Sequence, residues 1–372
     1  MSEHFISRDD AEKDLLACAA YVAERVPPGD DHSEAISAVL PLYLKRGDVD
    51  TAAELANSVD DPFVRDRLII AVAAKCAEID DDEYAMQLVE AIDDPGLQSE
   101  AVERLGLIKA ERGQFDAARG IADDMTHPEF VLAAVAVKRA ADGDNATADA
   151  TLDGIAFPTA RVTARLGIAD AAIKGEDLER ADSVLEKAAE DALEIEHQEE
   201  KVRSLIDIGN LFLEAGRRDK AIGTFDTARD ETDALDNMHR DGFFASASVG
   251  FLRAGSQDLS DRALDLVADK TQLSNALFGH ARYFWQNDQK DDALEAIDEA
   301  YEVLRSQKDI ETRSARDRNI LFASLAAQFA GFGKGERAIE IAEAIEDHEH
   351  SMTALSQVAR VLTAAGNEDL AR

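Results

Sequence analysis

The chain predicts an all-α fold: a right-handed superhelix of about ten helix-turn-helix repeats. Two observations carry this expectation. A turn followed by an alanine recurs along the whole chain, and self-similarity at a fixed spacing is the mark of stacked repeats. The composition agrees, with 45% hydrophobic residues but only 6% aromatic ones. Small apolar side chains suit closely packed helices, and that apolar share excludes global disorder.

The recurring element is a turn residue with an alanine five positions on. It occurs as Gly47 to Ala52, Gly113 to Ala118, Gly143 to Ala148, Gly216 to Ala221, Gly333 to Ala338 and Gly366 to Ala371. Asp80 to Ala85 and Asp288 to Ala293 keep the spacing with aspartate at the turn. Gly175 to Ala181 and Gly255 to Ala263 read as the same element with one and three extra residues. A glycine after a helix can take the left-handed conformation that ends it. An alanine early in the next helix lets two backbones approach closely.

The chain divides by repeat type. Residues 1–30 form an N-terminal cap, in which Ser7-Arg8-Asp9-Asp10 opens one helix to about Val26, stopped by Pro27-Pro28-Gly29. Residues 31–158 hold four short repeats linked by Pro62, Pro95, Pro128 and Pro158, each ten residues after its alanine. Asp61-Pro62 and Asp94-Pro95 read as N-cap and first helical residue. Residues 159–372 hold six repeats, continuous with the first part, whose wider spacing implies longer helices or loops. The last is truncated after Ala371, so its first helix caps the array or its open face meets another chain, a route to homo-oligomers.

The pattern resembles the tetratricopeptide repeat: a bulky residue, a small pair three on, an aromatic, a later alanine and a second aromatic. Leu205, Ile208-Gly209, Phe212, Ala221 and Phe225 match it best. Phe322, Leu325-Ala326, Phe329, Ala338 and Ala342 follow, then Leu277, Ala281, Phe284, Ala293 and Ile297. Leu105-Gly106 and Leu166-Gly167 supply the small pair elsewhere. The leading tryptophan is absent and the trailing proline falls early or is missing, so the resemblance is to a TPR-like α-solenoid over residues 31–372; a HEAT-like solenoid is the structural alternative.

The formal net charge is -37, from 77 acidic and 40 basic residues. Asp outnumbers Glu, 45 to 32, and Arg outnumbers Lys, 27 to 13. Concentrated salt screens the self-repulsion of such a surface. An Asp-rich, Lys-poor chain therefore points to a halophile, of haloarchaeal type; a mesophilic protein with a basic partner is the other reading. The charge argues against direct nucleic-acid binding and against anionic membranes. Met1-Ser2-Glu3-His4 opens no signal peptide and no apolar run is long enough to span a membrane, so a cytoplasmic location is expected. Cys18 and Cys76 sit among apolar neighbours and read as buried hydrophobes.

The residues show no constellation that asks for catalysis, metal or cofactor. The paired acids Asp60-Asp61, Asp80-Asp81-Asp82, Asp93-Asp94 and Asp123-Asp124 recur at equivalent turns, where capping explains them. His348-Glu349-His350 follows Asp347 in a linker, where polar residues are expected. Gly331-Phe332-Gly333-Lys334-Gly335 lacks the spacing of a phosphate loop.

The resemblance implies a groove lined by first helices that holds a protein segment or peptide. Transferring its geometry gives Arg203 and Asn210, then Asn275 and Arg282 with Trp285 one turn on, then Thr353 and Arg360. Arginine can pair with a carboxylate, asparagine with a peptide backbone, and Trp285 is the sole tryptophan. Ile70, Leu107 and Val137 make the N-terminal part of that groove apolar. The expected function is a protein–protein interaction scaffold, not an enzyme; the alternative is a ligand- or peptide-responsive regulator.

Overall fold

The computed structural model describes residues 5–236, 238–307 and 312–366, without the side chains of 312–317. The described residues form 21 α-helices and no strand. Two short helices open the chain, α1 (Arg8–Ala11) and α2 (Leu15–Ala23). Nine pairs follow: α3 (Asp30–Arg46) with α4 (Val49–Asn57), α5 (Pro62–Glu78) with α6 (Asp82–Glu90), α7 (Pro95–Glu111) with α8 (Phe115–Asp123), and α9 (Glu129–Ala141) with α10 (Asn145–Asp153). Then come α11 (Pro158–Lys174) with α12 (Leu178–Leu193), α13 (Gln198–Glu214) with α14 (Arg218–Asp233), and α15 (Arg240–Ala254) with α16 (Gln257–Leu264). Last are α17 (Lys270–Gln286) with α18 (Lys290–Arg305), α19 (Thr312–Gly331) with α20 (Gly335–Glu343), and α21 (His348–Ala364), which opens a tenth repeat. Ala371 and the opening tetrapeptide lie outside the described residues.

The helices of a pair are joined by one recurring turn. A residue of positive φ ends the first helix: Gly47, Asp80, Gly113, Gly143, Glu176, Gly216, Gly255, Asp288 and Gly333. The next residue's N–H then donates to the carbonyl five positions back at 2.8–3.0 Å, as Asp48 does to Tyr43 and Arg217 to Phe212. That bond closes a Schellman turn and satisfies a helix-end carbonyl. The donor residue is also the N-cap of the second helix, and Asp48, Asp81, Asp144 and Asp177 accept there through their side chains as well.

Two sequence registers need correction. The left-handed residue before α12 is Glu176, not Gly175, so the five-residue spacing to Ala181 holds with no insertion. In the repeat opened by α15, Gly255 has φ 88 and five residues on stands Ser260, not Ala263. Ser260 is fully buried, as are Ala52, Ala85, Ala118, Ala148, Ala181, Ala221, Ala293 and Ala338 at the equivalent place. Ala263 is also buried, one turn further along α16. A serine therefore occupies a position that alanine holds in the other described repeats.

The wider spacing of the later repeats resides chiefly in the second helices. These are 9 residues long in α4, α6, α8 and α10, but 16 in α12, α14 and α18. First helices are mostly 17 residues, α3, α5, α7, α11, α13, α17 and α21 among them. The expected N-terminal helix is two helices, because Asp14 caps a fresh start by accepting from Leu16 N. Pro62, Pro95 and Pro158 begin α5, α7 and α11, whereas Pro128 stands one residue before α9. Cys76 is buried as expected, and burial pushes its thiol up to about 11, but Cys18 is exposed.

The chain forms two compact bodies, one through Ile168 and one from Ala169, with the division inside α11. In the first, a continuous apolar core runs from Ile6 to Leu105. Lys109 is buried there at a site where α13, α15, α17 and α19 carry Phe212, Phe251, Phe284 and Phe329; its ammonium donates to Ala77 O and Asp80. In the second body, α13, α15, α17, α19 and α21 touch in succession as one layer of first helices, and α14 packs between α13 and α15 on the other side. Phe225 of α14 fills the space that Gly209 and Gly250 leave.

Candidate partner-binding groove

The exposed face of the first-helix layer in the second body carries most of the expected site residues. Arg203 on α13 is exposed; Asn210, two turns on, is half-buried and accepts from Arg253 Nη1 of α15 at 2.9 Å. Asn275 and Arg282 are exposed on α17 with the same seven-residue interval. Arg360 and Thr353 are exposed on α21. The interval is the physical reason they share a face, since seven residues are close to two helical turns.

Trp285 sits differently. It is half-buried, and its ring stacks on Phe332 with centroids 4.1 Å apart and planes 16° apart. Phe332 follows α19, so the tryptophan joins one repeat to the next. Ile70 is also buried, at 4% exposure, and lines no groove, whereas Leu107 and Val137 are half-buried.

A pocket of about 270 Å³ opens beside Arg203. Gly242 makes room for it. It stands thirteen residues before its turn residue, the place held by Arg203 on α13 and Asn275 on α17, so α15 contributes no side chain there. Phe243, Ser246 and Gln272 line the walls with Asp207. Asp207 is one turn from Arg203; burial raises its carboxyl above the usual range, and the Arg203 charge only partly offsets this. The Asp207 side chain is nonetheless exposed at the pocket wall. The sequence-based reading missed Asp207, Phe243 and Gln272; the cue was Gly242, a glycine in the first turn of a helix.

A second pocket, of about 340 Å³, opens among α16, α17 and α18, on the side of the second helices. Beside it lies a buried polar trio. Ser248 Oγ donates to Ser260 O at 2.9 Å and Ser260 Oγ donates to Ser248 O at 2.8 Å. His280 Nε2 lies 3.0 Å from Ser248 Oγ and 3.2 Å from Ser260 Oγ. Burial drives the His280 pKa down to about 4, so the ring is neutral near pH 7. Taking Ala263 as the repeat alanine hid this trio.

At the linker expected before α21, Asp347 caps that helix by accepting from His350 N at 2.9 Å and His350 Nδ1 at 2.6 Å. Among the described residues no three His, Cys, Asp or Glu side chains are placed to hold a metal ion, and no helix is long and apolar enough to cross a membrane.

No family profile matches the chain, and no curated protein matches it. It is similar to solved structures at low identity. TPR-like repeats of a Podosopora anserina putative kinesin light chain are 16% identical over 48% of this chain and 92% of theirs, with a TM-score of 0.31. The apo form of RapI is 11% identical over 91% and 94%, with a TM-score of 0.38. A signal-transduction ATPase with a tetratricopeptide repeat sensor from Pyrococcus horikoshii is 14% identical over 93% and 52%, with a TM-score of 0.34. The assignment to a helix-pair repeat array rests on the turns and packing above.

Proposed function

We propose that the protein is a non-catalytic interaction scaffold that holds an extended partner segment against the first helices of its second body. One observation carries the reading: in a chain of net charge -37, that face presents exposed Arg203, Arg282 and Arg360. These are the groups that would pair with carboxylates, and an arginine–carboxylate pair can be bidentate and directional. Asn275 adds a backbone-pairing carboxamide, Asn210 is already engaged by Arg253, and the pocket beside Arg203 would take an apolar side chain against Phe243. Trp285 would contribute by holding the α17 repeat to the next through its stack on Phe332.

The wider acidic surface fits a high-salt interior, where screening removes its self-repulsion. Pairing between copies of the chain through its C-terminal repeat is part of the same proposal. The test is recovery of partners in molar KCl by the tagged protein and by an Arg203→Ala/Arg282→Ala variant. A partner kept by the first and lost by the second supports the reading. A partner kept equally by both moves the site off this face.

A further inference from the structure

We infer that the pocket among α16, α17 and α18 is a binding site for a cationic nitrogen group, a protonated amine or a guanidinium, received by the Nδ1 lone pair of His280 and surrounding carboxylates. The site opens on the second-helix side and does not depend on the groove proposed above.

The argument starts from the serine pair. Each hydroxyl donates its one proton to the other residue's carbonyl. With both protons so placed, each Oγ offers His280 a lone pair, and the arrangement that satisfies all three side chains puts the ring proton on Nε2. A neutral ring with its proton on Nε2 has an accepting lone pair on Nδ1. That nitrogen makes no hydrogen bond among the described residues. His280 itself is 97% buried, being 3% exposed, and lines the pocket. With Nε2 turned to the serines, Nδ1 is the nitrogen left for an occupant. An acceptor so placed asks for a donor.

The surroundings favour a charged donor. Asp261 from α16 and Asp292, Glu295 and Glu299 from α18 rim the pocket, and no lysine or arginine lines it. Gln257 donates to Asp261 at 2.9 Å and Gln289 to Asp292 at 3.1 Å, which orients two of the four carboxylates. Leu277 and Phe284 form an apolar wall suited to the methylene stem of a basic side chain or polyamine.

The trio departs from the repeat. At the place of Ser248, seven residues before the turn, other first helices carry Ala73, Gly106, Ala136, Ala169, Gly209, Ala281 and Ala326. At the place of His280 they carry Val72, Leu105, Val135, Ile168, Ile208, Leu325 and Val358. Three polar residues thus replace three apolar ones at one spot, against the cost of burying them. Local breaks in an otherwise consistent pattern are where function is expected.

The test uses three probes on the full-length protein: N-methylguanidinium, spermidine and a short peptide with one arginine. Binding is read by calorimetry and by the ¹⁵N signal of His280 Nδ1. We expect one-to-one binding, a shift of the Nδ1 signal, and affinity lowered about tenfold in a Ser248→Ala/Ser260→Ala/His280→Leu variant. That variant restores residues the other repeats carry and should fold. Asp292→Asn/Glu295→Gln should lower affinity about fivefold, while Asp298→Asn, outside the pocket, should leave it unchanged. Peptide binding alone identifies a partner's side chain as the occupant; binding of the small cations identifies a free amine. Equal binding by the triple variant, loss of affinity in Asp298→Asn equal to that at the rim, or no binding of any probe overturns the proposal.

Discussion

Gly209 and Phe225 are in contact across one helix pair: a Cβ at Gly209 would lie 2.6 Å from Cε1 of the Phe225 ring. Gly250 on the next first helix meets the same ring at 2.6 Å from Cζ. Phe225 is fully buried, so it cannot move aside into solvent. Gly209→Ala should cost about 1–3 kcal/mol through overpacking. Gly223→Ala, in the same body but with nothing near its Cβ, should instead stabilise by up to about 1 kcal/mol. Urea melts of the two variants check both signs.

Asp66 is buried at 1% exposure and ties α5 to the start of α7. Its Oδ2 accepts from Asp93 N at 3.1 Å and Asp94 N at 3.2 Å, and its Oδ1 accepts from Arg65. Asp66→Ala would orphan two backbone donors in a partly buried turn. A loss of about 3 kcal/mol is expected from denaturant unfolding. A change under about 0.5 kcal/mol would mean that water replaces the carboxylate without penalty.

His280 gives the stability a defined acid dependence. Its pKa falls from the ordinary 6.5 to about 4 on folding, so the unfolded chain binds the proton more tightly. Stability therefore increases with pH across that window, is fully present above about 6.5, and is lost as pH falls toward 4. The shift corresponds to about 3 kcal/mol. Melting curves from pH 7 to pH 4 should fall more steeply for the native protein than for the Ser248→Ala/Ser260→Ala/His280→Leu variant. Parallel curves would show that the ring titrates as if in water.

Salt should stabilise the fold. A net charge of -37 repels itself, and many described ion pairs, such as Arg8 with Glu12, lie at the surface and contribute little. The melting temperature should climb between dilute buffer and molar KCl as screening sets in. A flat or falling profile would remove the high-salt reading and leave the acidic surface to a basic partner.

Arg282→Ala should weaken binding of a partner segment about tenfold with no loss of stability, because the side chain is exposed. Trp285→Ala should do the reverse first, destabilising by about 3 kcal/mol through loss of the Phe332 stack. Titration calorimetry beside thermal melts separates the two effects.

The sequence by itself determined the repeat. A residue able to take positive φ, a capping residue and a small residue five after the turn act within a dozen positions, and short-range geometry leaves them little freedom. That is why the helix pairs were legible; Arg203, Arg282 and Arg360 came instead from the resemblance to the tetratricopeptide repeat, and the structure shows them exposed. Tertiary structure decided what depends on neighbours distant in sequence. Ser260 reads as an unremarkable polar residue until α15 and α17 bring Ser248 and His280 to it, and then it belongs to a buried network. Trp285 reads as a free aromatic until Phe332 covers it. Gly242 reads as a weak helix residue until α13 and α17 flank the space it leaves. Local signals set the backbone, but burial and pairing belong to the packed array, because only packing says which side chains water can no longer reach.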